Sequence, residues 1–530
     1  MTKYDCIVVG GSIGGVLAAY NLGKKKRRVL LIEETKWIGG QFTNQGVPSD
    51  EHPFIEETGC TTSYRTFRNE IRNMYRKHPK IKETYKSQQV FNPGGGWVSR
   101  NAFEPKMALD LFHQMLEKYS NVEIMTETKV LSAKMIDDMI LSLKIVKRDK
   151  IIEVGAPYFI DGTDTGDLLP ITNTAYSIGS ESVLETNEPN APLVANRYDM
   201  QPITWVAAIG YEENGNYLIE KPSYYEHYLN TIMPYGESIL SLHDGGLNNG
   251  EGKRTFVLFQ ENKNKELDLT KPPLFTYRMI RDKNKFEDHF YQTSVTLINW
   301  PQNDYIFGNI IEDDDALNHK YMAKQLTLSL IYWLQTKAPR HDNKGFGYPE
   351  IKLEKDILGT TDGLAMAPYI RESRRIKALY TIKEQDIAIK YAKEAPSFWD
   401  SVGIGLYNID LHTTTKTNQT LFEETWPFEI PLGAFIPVQT KNLIPACKNI
   451  GTTHLTNGCY RLHPVEWNIG EVAGLLIDYC LTKEKKPIEI YQNKSLVNDF
   501  QTILKSEGIS LNWADEIIDK YKMKREKERN

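Results

Sequence analysis

The 530-residue sequence is poor in the features that mark several protein classes. Its five cysteines, at positions 6, 60, 447, 459 and 480, form no CxxC pair, which argues against a zinc site or a disulfide framework. No run of about 18 apolar residues occurs, so no membrane span is predicted. Lysine and arginine number 64 against 69 acidic residues, and this balance gives no basic field for a nucleic acid. Because the N-terminus lacks a signal-peptide pattern, we expect a cytoplasmic location.

The N-terminal segment follows a strand–turn–helix–strand pattern. Residues 4–9 predict a buried strand, residues 16–22 an apolar helix, and residues 29–32 a second strand that ends at Glu33. The turn between the first strand and the helix is GGSIGG, residues 10–15. A glycine-rich turn that opens a helix, with an acid at the end of the next strand, is typical of a dinucleotide-binding unit. We therefore predict a dinucleotide site here; the alternative is an ordinary glycine turn of an α/β protein.

Each part of this motif has a physical role in holding a dinucleotide. Gly10 permits the tight turn, Gly15 lets the helix pack close to the strand, and the helix N-terminus offers free N–H groups to a pyrophosphate. Ser12 stands where the motif usually has its second glycine, and its hydroxyl can donate to a phosphate oxygen. Glu33 is expected to accept hydrogen bonds from ribose hydroxyls and to repel a 2′-phosphate.

Three further segments extend the pattern. They are WIGGQ at residues 37–41, FIDGTDTGDLL at 159–169, and a C-terminal block that contains NLIPACKNIGTTH and GCYRLHPVEWNIGEVAG at 442–474. Together with GGSIGG and IEE they resemble the FAD-dependent oxidoreductases of the glutathione-reductase-like flavoprotein fold, in particular a subgroup with a DATGDGDL-type turn. Gly162 and Asp164 stand where that turn usually has alanine and glycine. No second strand–GxGxxG–helix unit follows, which disfavours a reductase with separate FAD and NADPH folds.

The resemblance implies that FAD is the cofactor and indicates its contacts. Val130 would meet the adenine, and Gly451 would lie beside the ribityl chain. The implied cofactor-binding residues are Gly10, Ser12, Ile13, Gly14, Gly15, Glu33, Glu34, Gly40, Gln41, Arg100, Val130, Thr163, Gly451, Asn468 and Ile469. The flavin ring would lie at the N-terminus of a helix that begins near Pro464 and whose dipole would stabilise negative charge on the ring. Gly470, Ala473 and Gly474 keep one side of that helix thin, so a flat ring or another backbone could pack closely there.

Oxidation of a C–H bond beside an OH or NH group also needs a proton acceptor. His412, His454 and His463 lie close in sequence to the implied flavin segments and are the candidates, with structural histidines as the alternative. Arg461 could hold a substrate carboxylate or a flavin carbonyl; the alternative is an ion pair with Glu466 or Glu471. No metal site is predicted, because the consecutive acids and histidine at residues 50–52 would seldom converge on one ion.

We predict an α/β fold with a Rossmann-like, glutathione-reductase-like three-layer FAD-binding domain, an inserted α+β substrate or cap domain, and a helical C-terminal tail. The FAD-binding domain would comprise residues 1–45, 101–170 and 431–482, the inserted domain residues 46–100 and 171–430, and the tail residues 483–530. Within the insert, residues 46–100 are expected to be a loop region and residues 371–375 an exposed, charged helical stretch. Strands are predicted at residues 205–209, 294–298 and 402–411, and a helix at residues 321–335.

Our leading functional hypothesis is an FAD-dependent oxidoreductase that oxidises a small or medium polar organic substrate by hydride transfer to flavin N5. Oxygen or a soluble carrier would then accept the electrons. The alternatives are an FAD-dependent monooxygenase, and a flavin-containing binding protein without redox turnover. We expect no nucleic-acid or membrane partner, and the sequence identifies neither the substrate nor the oligomeric state.

Overall fold

The structure is a computed structural model that describes residues 2–246, 252–260, 268 and 270–529. The predicted domain boundaries also enclose residues 1, 247–251, 261–267, 269 and 530, which lie outside the described residues.

A five-stranded parallel sheet lies at the centre of the fold. In spatial order its strands are Leu443–Pro445, Tyr158–Asp161, Cys6–Val9, Val29–Ile32 and Val122–Met125. Four of the five strands are buried along their whole length, the edge strand Val122–Met125 being the exception. Strands that are buried on both faces appear as continuous apolar runs, which is why the sequence indicated their positions. The parallel sheet confirms the predicted α/β, Rossmann-like core.

Two further layers cover this sheet. Cys6 and Val8 face the helices Ile13–Lys24, Pro105–Leu116 and His463–Lys483, while Ile7 and Val9 face a second, antiparallel sheet. The strands of the second sheet are Thr128–Ile136, Met139–Lys147 and Lys150–Gly155, and Thr2–Lys3 joins the last of them in parallel. The alternation of neighbouring side chains between the two faces therefore produces three layers.

Two of the covering helices are in unusually close contact. A Cβ atom at Gly470 would lie 2.3 Å from the carbonyl oxygen of Gly14, and one at Gly474 would lie 2.5 Å from that of Ala18. The thin side of His463–Lys483 therefore packs against the backbone of Ile13–Lys24. Of the two partners that the sequence allowed, a flat ring or another backbone, it is the backbone. This contact ties the C-terminal helix to the glycine-rich turn.

A separate hydrophobic cluster is formed by residues between 203 and 370, together with Val47. Its antiparallel sheet has the strands Met279–Arg281, Val295–Ile298, Ala207–Tyr211 and Ile351–Leu353, against which the helix Ala316–Thr336 packs. The predicted helix and the strand at 294–298 are confirmed. The predicted strand at 205–209 is divided, since Ile203–Thr204 pairs with Asp304–Tyr305 before the chain enters Ala207–Tyr211.

Three predictions in the intervening segments were wrong. Residues 371–375 are neither helical nor exposed; all five are buried, and Arg371, Arg374 and Arg375 each meet a carboxylate. Residues 46–100 contain the helices Thr62–Lys77 and Glu83–Lys86 rather than loops alone. The run 402–411 forms two strands, Ser401–Gly405, which pairs with Phe428–Pro431, and Ile409–Leu411, which pairs with Leu421–Glu423.

The remaining elements are short or lie near the C-terminus. The other paired strands are Tyr176–Ser177 with Arg375–Ile376 and His243–Asp244 with Arg254–Thr255. The other helices are Leu168–Ile171, Val183–Thr186, Tyr225–Leu229, Leu274–Tyr277, Glu384–Ile387, His454–Asn457, Pro487–Tyr491, Lys494–Ser506 and Asp515–Arg529. Short 3₁₀ turns occur at Gly40–Phe42, Lys283–Lys285, Pro301–Asn303, Leu432–Phe435 and Cys459–Arg461. Within the described ranges, no helix combines the length and the apolar character that crossing a membrane requires.

Candidate functional site

The carboxyl ends of the central parallel strands open onto a cavity of about 480 Å³, here called the first cavity. In open α/β sheets, ligands bind outside the carboxyl ends of the strands. Six of the residues that the sequence assigned to the cofactor line it: Gly10, Ser12, Glu33, Glu34, Val130 and Thr163. They come from four separate segments, so the fold brings the glycine-rich turn, the acidic strand end and the predicted adenine contact to one space.

The glycine-rich turn has the geometry of an anion-binding helix start. Ser12 caps the helix Ile13–Lys24, and its Oγ accepts a hydrogen bond from the N–H of Gly15 at 3.2 Å. The Ser12 hydroxyl thus keeps its own hydrogen for another acceptor. Gly10 has a φ of +94°, and a Cβ atom there would lie 2.3 Å from the carbonyl carbon of Gly162. A side chain would therefore not fit at this point, and the N–H groups of Ser12 and Ile13 are the ones at the helix start that suit an anion.

Glu33 connects this turn to the second strand. Its carboxylate accepts the N–H of Gly11 at 2.8 Å through Oε2 and the N–H of Thr35 at 2.7 Å through Oε1. Glu33 is 7% exposed, and its burial raises the pKa above the usual value although these hydrogen bonds act in the opposite direction. The residue therefore shapes the turn as well as lining the cavity where the sequence expects a ribose.

A buried charged cluster lies beside the turn, and two of its members, Lys448 and Asp164, were not predicted as site residues. The Lys448 ammonium is fully buried, 2.5 Å from Oδ1 of Asp164 and 3.7 Å from Oε2 of Glu466. Gln41 donates to Oε2 of Glu466 at 2.6 Å, and the Glu466 carboxylate also lies 3.4 Å from the N–H of Gly14. Burial acts to lower the pKa of Lys448, but the neighbouring acids and Cys447 raise it well above its usual value, so the lysine is charged.

A second cavity, of about 360 Å³, lies on the other side of the segment 366–371. Met366, Ala367, Pro368 and Ile370 line the first cavity, while Tyr369 and Arg371 line the second. The segment is held in place by the backbone hydrogen bonds from Tyr369 N–H to Thr204 O at 2.8 Å and from Thr204 N–H to Tyr369 O at 3.2 Å. The two cavities therefore share this segment as a common part of their linings.

His412 and Arg461 are the predicted catalytic residues that line the second cavity. Nδ1 of His412 lies 2.7 Å from Oδ2 of Asp304, and its Nε2 lies 3.3 Å from Oδ2 of Asp410. Burial acts to raise the pKa of both aspartates, but their cationic neighbours lower it more, so both pKa values lie below the usual one. The neighbour with the largest effect is Arg371 for Asp304 and His412 for Asp410. Both carboxylates are thus ionised beside the histidine.

Arg461 links this cavity to the residues near the turn. Its guanidinium donates to Gln201 Oε1 at 2.7 Å and to the carbonyl oxygen of Asp410 at 3.0 Å, and its Nη2 lies 3.3 Å from the Asp410 carboxylate. Its own carbonyl oxygen accepts a hydrogen bond from Gln41 Nε2 at 3.0 Å. The ion pair of Arg461 is therefore with Asp410, and not with Glu466 or Glu471 as the sequence alternative supposed.

His454 and His463 are in other surroundings, and neither is among the residues that line the two cavities. His454 is buried, with Nδ1 2.9 Å from Oε2 of Glu372; burial opposes protonation, but Glu372 raises its pKa. His463 accepts the N–H of Asp50 at Nδ1 (3.0 Å), and its ring lies 4.4 Å from that of Phe42. Burial lowers the pKa of His463 to about 3, so this ring is neutral.

The other predicted cofactor residues surround the turn or lie away from it. None of these nine residues lines either cavity. Ile13, Gly14, Gly15 and Gly40 are buried at the start of the first helix or against it, and Gln41 is buried beside Glu466 of the C-terminal helix. The other four lie away from the turn: Arg100 is exposed, Gly451 packs against Ala378 and Tyr380, Asn468 donates to Val402 O at 3.3 Å, and Ile469 is in the hydrophobic core.

The residues that sequence reasoning missed come from segments without a motif. Arg278 belongs to one stretch of the chain and Asn299 and Asp304 to another, and only the fold brings them to the second cavity or directly behind it. Asp410 had a usable signal, since it stands two positions before His412, and residues i and i+2 of an extended chain share a face.

Comparison with protein families decides the class of this protein. A family model described as "FAD dependent oxidoreductase" matches residues 5–504. The chain belongs to this family. It is an FAD-dependent oxidoreductase, a flavoprotein that binds its nucleotide on a Rossmann-type core.

Solved structures with similarity to this chain cover only part of it. They include L-proline dehydrogenase from P. horikoshii (18% identity, TM-score 0.18, 34% of this chain and 24% of that one). A second is p-nitrophenol 4-monooxygenase PnpA from Pseudomonas putida DLL-E4 (15%, 0.26, 40% and 49%). A third is the thioredoxin reductase of T. acidophilum (14%, 0.17, 31% and 36%). Each match spans less than half of the solved protein's length, and among curated proteins no match to the chain was found.

Proposed function

We propose that this FAD-dependent oxidoreductase oxidises a small or medium polar organic molecule in the second cavity, with His412 as the proton acceptor. The observation that carries the proposal is the pairing of His412 with the buried Asp304 at a cavity that shares its wall with the first cavity. When bound, FAD supplies the acceptor for a hydride, and oxygen or a soluble carrier then takes the electrons.

The contacts of His412 suit a base. A hydrogen bond to the Asp304 carboxylate favours the tautomer with its proton on Nδ1. Nε2, which lies 3.3 Å from the Asp410 carboxylate, is then the atom that would accept a substrate proton. The two ionised aspartates then stabilise the imidazolium cation, as an acid behind a catalytic histidine does in hydrolases. Asp304 is itself held by Arg371, whose Nη2 lies 2.9 Å from Oδ1. The orientation of the imidazole is therefore fixed before a substrate arrives.

In the same proposal, FAD lies along the first cavity. The N–H groups of Ser12 and Ile13 would bind the pyrophosphate, Glu33 the adenosine ribose, and Val130 the adenine, as in the glutathione-reductase-like subgroup that the motifs resemble. Residues 1–45, 101–170 and 431–482 would form the FAD-binding domain, residues 46–100 and 171–430 the substrate domain, and residues 483–530 the tail. The glycine-rich turn at the mouth of the helix Ile13–Lys24 supports this placement, because Gly10 and Ser12 line the first cavity and a helix N-terminus suits a bound polyanion.

The test is anaerobic stopped-flow spectroscopy of the FAD-loaded protein, with a screen of amines, alcohols and sugars. We expect a substrate alone to bleach the flavin, and His412→Gln to slow this step by about 10²- to 10⁴-fold while FAD remains bound. The exposed His227, changed to glutamine, is the matched control and should leave the rate unchanged.

Other outcomes would contradict the proposal. Bleaching only by NAD(P)H, stimulated by the substrate, would indicate a monooxygenase instead. A flavin that never cycles would indicate a binding protein, and an unchanged rate in His412→Gln would exclude this histidine as the base.

A further inference from the structure

The side chains that line the second cavity carry a set of hydrogen-bond donors without acceptors. Arg278 leaves Nε and Nη1 unpaired, Arg371 leaves Nε, Asn299 leaves Nδ2 and Trp300 leaves Nε1, and each of these nitrogens is buried. Among the lining residues, all of which the structure describes, no buried side-chain acceptor is left unpaired in the same way. Because a buried donor without an acceptor destabilises the protein, this wall favours a ligand rich in acceptor atoms.

The charges of the cavity point to one guanidinium in particular. Arg254 is paired with Asp244 at 2.5 Å, Arg371 with Asp304 at 2.9 Å, and Arg461 with Asp410 at 3.3 Å. Arg278 has only Asp50, whose Oδ2 lies 3.8 Å from Nη2, beyond hydrogen-bond distance. An arginine cannot lose its proton to relieve this deficit. Arg278 is therefore the cation of this cavity with the weakest counter-charge.

We infer that the second cavity recognises a substrate that carries one carboxylate, bound by Arg278 with help from the donors of Asn299 and Trp300. A singly charged group is favoured over a phosphate dianion, because Asp50 and Asp410 also line the cavity and would repel a second negative charge. The inference rests on the proposed function, since it takes this cavity as the substrate site.

The rest of the lining suits the uncharged part of such a molecule. Trp300, Tyr277, Tyr369 and Phe256 give the cavity aromatic walls, against which a ring or a hydrocarbon segment can pack. His412 lies on the same lining as Arg278, so the carboxylate would orient the molecule with its hydroxyl or amine available to the imidazole. Arg278 then acts in specificity and positioning, and not in the proton transfer.

Binding to the FAD-loaded protein, measured by calorimetry without turnover, tests the inference. The probes are matched pairs: acetate with acetamide, benzoate with benzamide, and glucuronate with glucose; inorganic phosphate is the dianion. At least one carboxylate should bind about tenfold or more tightly than its neutral partner, and Arg278→Met should reduce this preference by about 10- to 100-fold. Arg148→Met is the matched control, because that arginine is exposed and lines neither cavity, and it should keep the preference.

The results separate this inference from the proposed function. A carboxylate preference that depends on Arg278, in a protein that never reduces its flavin, would support the anion site and contradict the oxidation. The inference is overturned if no carboxylate is preferred, if the preference survives Arg278→Met, if phosphate binds more tightly, or if Arg278→Met releases FAD. Should Arg278→Met fail to fold, Arg278→Lys keeps the charge but loses the planar donor array, and it must still weaken the preference.

Discussion

Replacing Gly470 with alanine tests the contact that joins the C-terminal helix to the glycine-rich turn. The added Cβ would lie 2.3 Å from the carbonyl oxygen of Gly14 and 2.5 Å from its Cα, whereas carbon atoms in ordinary contact are about 3.5–4.0 Å apart. Both neighbours are backbone atoms, so the two helices must separate by about 1 Å. Overpacking of this kind costs about 1–3 kcal/mol, and alanine regains about 1 kcal/mol of helix propensity. We therefore expect a net destabilisation of up to about 2 kcal/mol.

The control is Gly474→Ala, one turn further along the same helix. Its Cβ would meet the carbonyl oxygen of Ala18 at 2.5 Å, so the strain is similar but lies further from the turn. Urea unfolding of the apoprotein should show a lower midpoint for both variants. Titration with FAD, followed by flavin fluorescence, should show an affinity loss of about tenfold for Gly470→Ala alone. Normal stability and FAD affinity in Gly470→Ala, or an equal affinity loss in Gly474→Ala, would refute the reasoning.

Two further predictions concern buried polar groups. Glu33→Gln leaves the N–H of Gly11 or Thr35 without its acceptor, so stability should fall by about 1–3 kcal/mol and FAD should bind more weakly. Unfolding of the apoprotein and its titration with FAD measure both effects, and unchanged values would show that this carboxylate does not hold the turn. His463 has a pKa of about 3 when folded, against about 6.5 for a free histidine. The unfolded chain therefore takes up a proton that the folded chain does not, and stability falls as the pH decreases from about 6.5 towards 3. In His463→Gln the free energy of unfolding should fall less steeply with decreasing pH than in the unchanged protein, by up to about 1.4 kcal/mol per pH unit. Coincident curves of unfolding free energy against pH for the two proteins would contradict this.

The central sheet was predictable because its signals are local. Each buried strand is a short apolar run, and the turn at residues 10–15 has glycines at the positions that the backbone requires. The helix Thr62–Lys77 was missed although Tyr64, Phe67, Ile71 and Tyr75 recur at helical spacing and Thr61 caps its start. Its many charged residues hid this apolar face, because only one side of the helix meets the core.

The candidate site was predictable only in part. The first cavity is built around a motif with fixed spacing, so the sequence indicated the residues that line it. The second cavity combines Asp50, Arg278, Asn299, His412 and Arg461, which no spacing rule relates. Their convergence depends on how the segments between residues 46 and 412 pack against the parallel sheet, and this is a tertiary property.

The wrong prediction for residues 371–375 has a consequence for testing the site. A run of charged residues is tolerated inside a protein only where partners are present, and the partner of Arg371 is Asp304, which also orients His412. Changing Asp304 to alanine would leave a buried guanidinium unpaired, a loss of about 3–5 kcal/mol that would lower activity through unfolding alone. His412→Gln leaves the pair of Asp304 and Arg371 intact. A lower rate of flavin reduction in that variant, at unchanged stability, is therefore the result that separates the chemistry of the site from its folding.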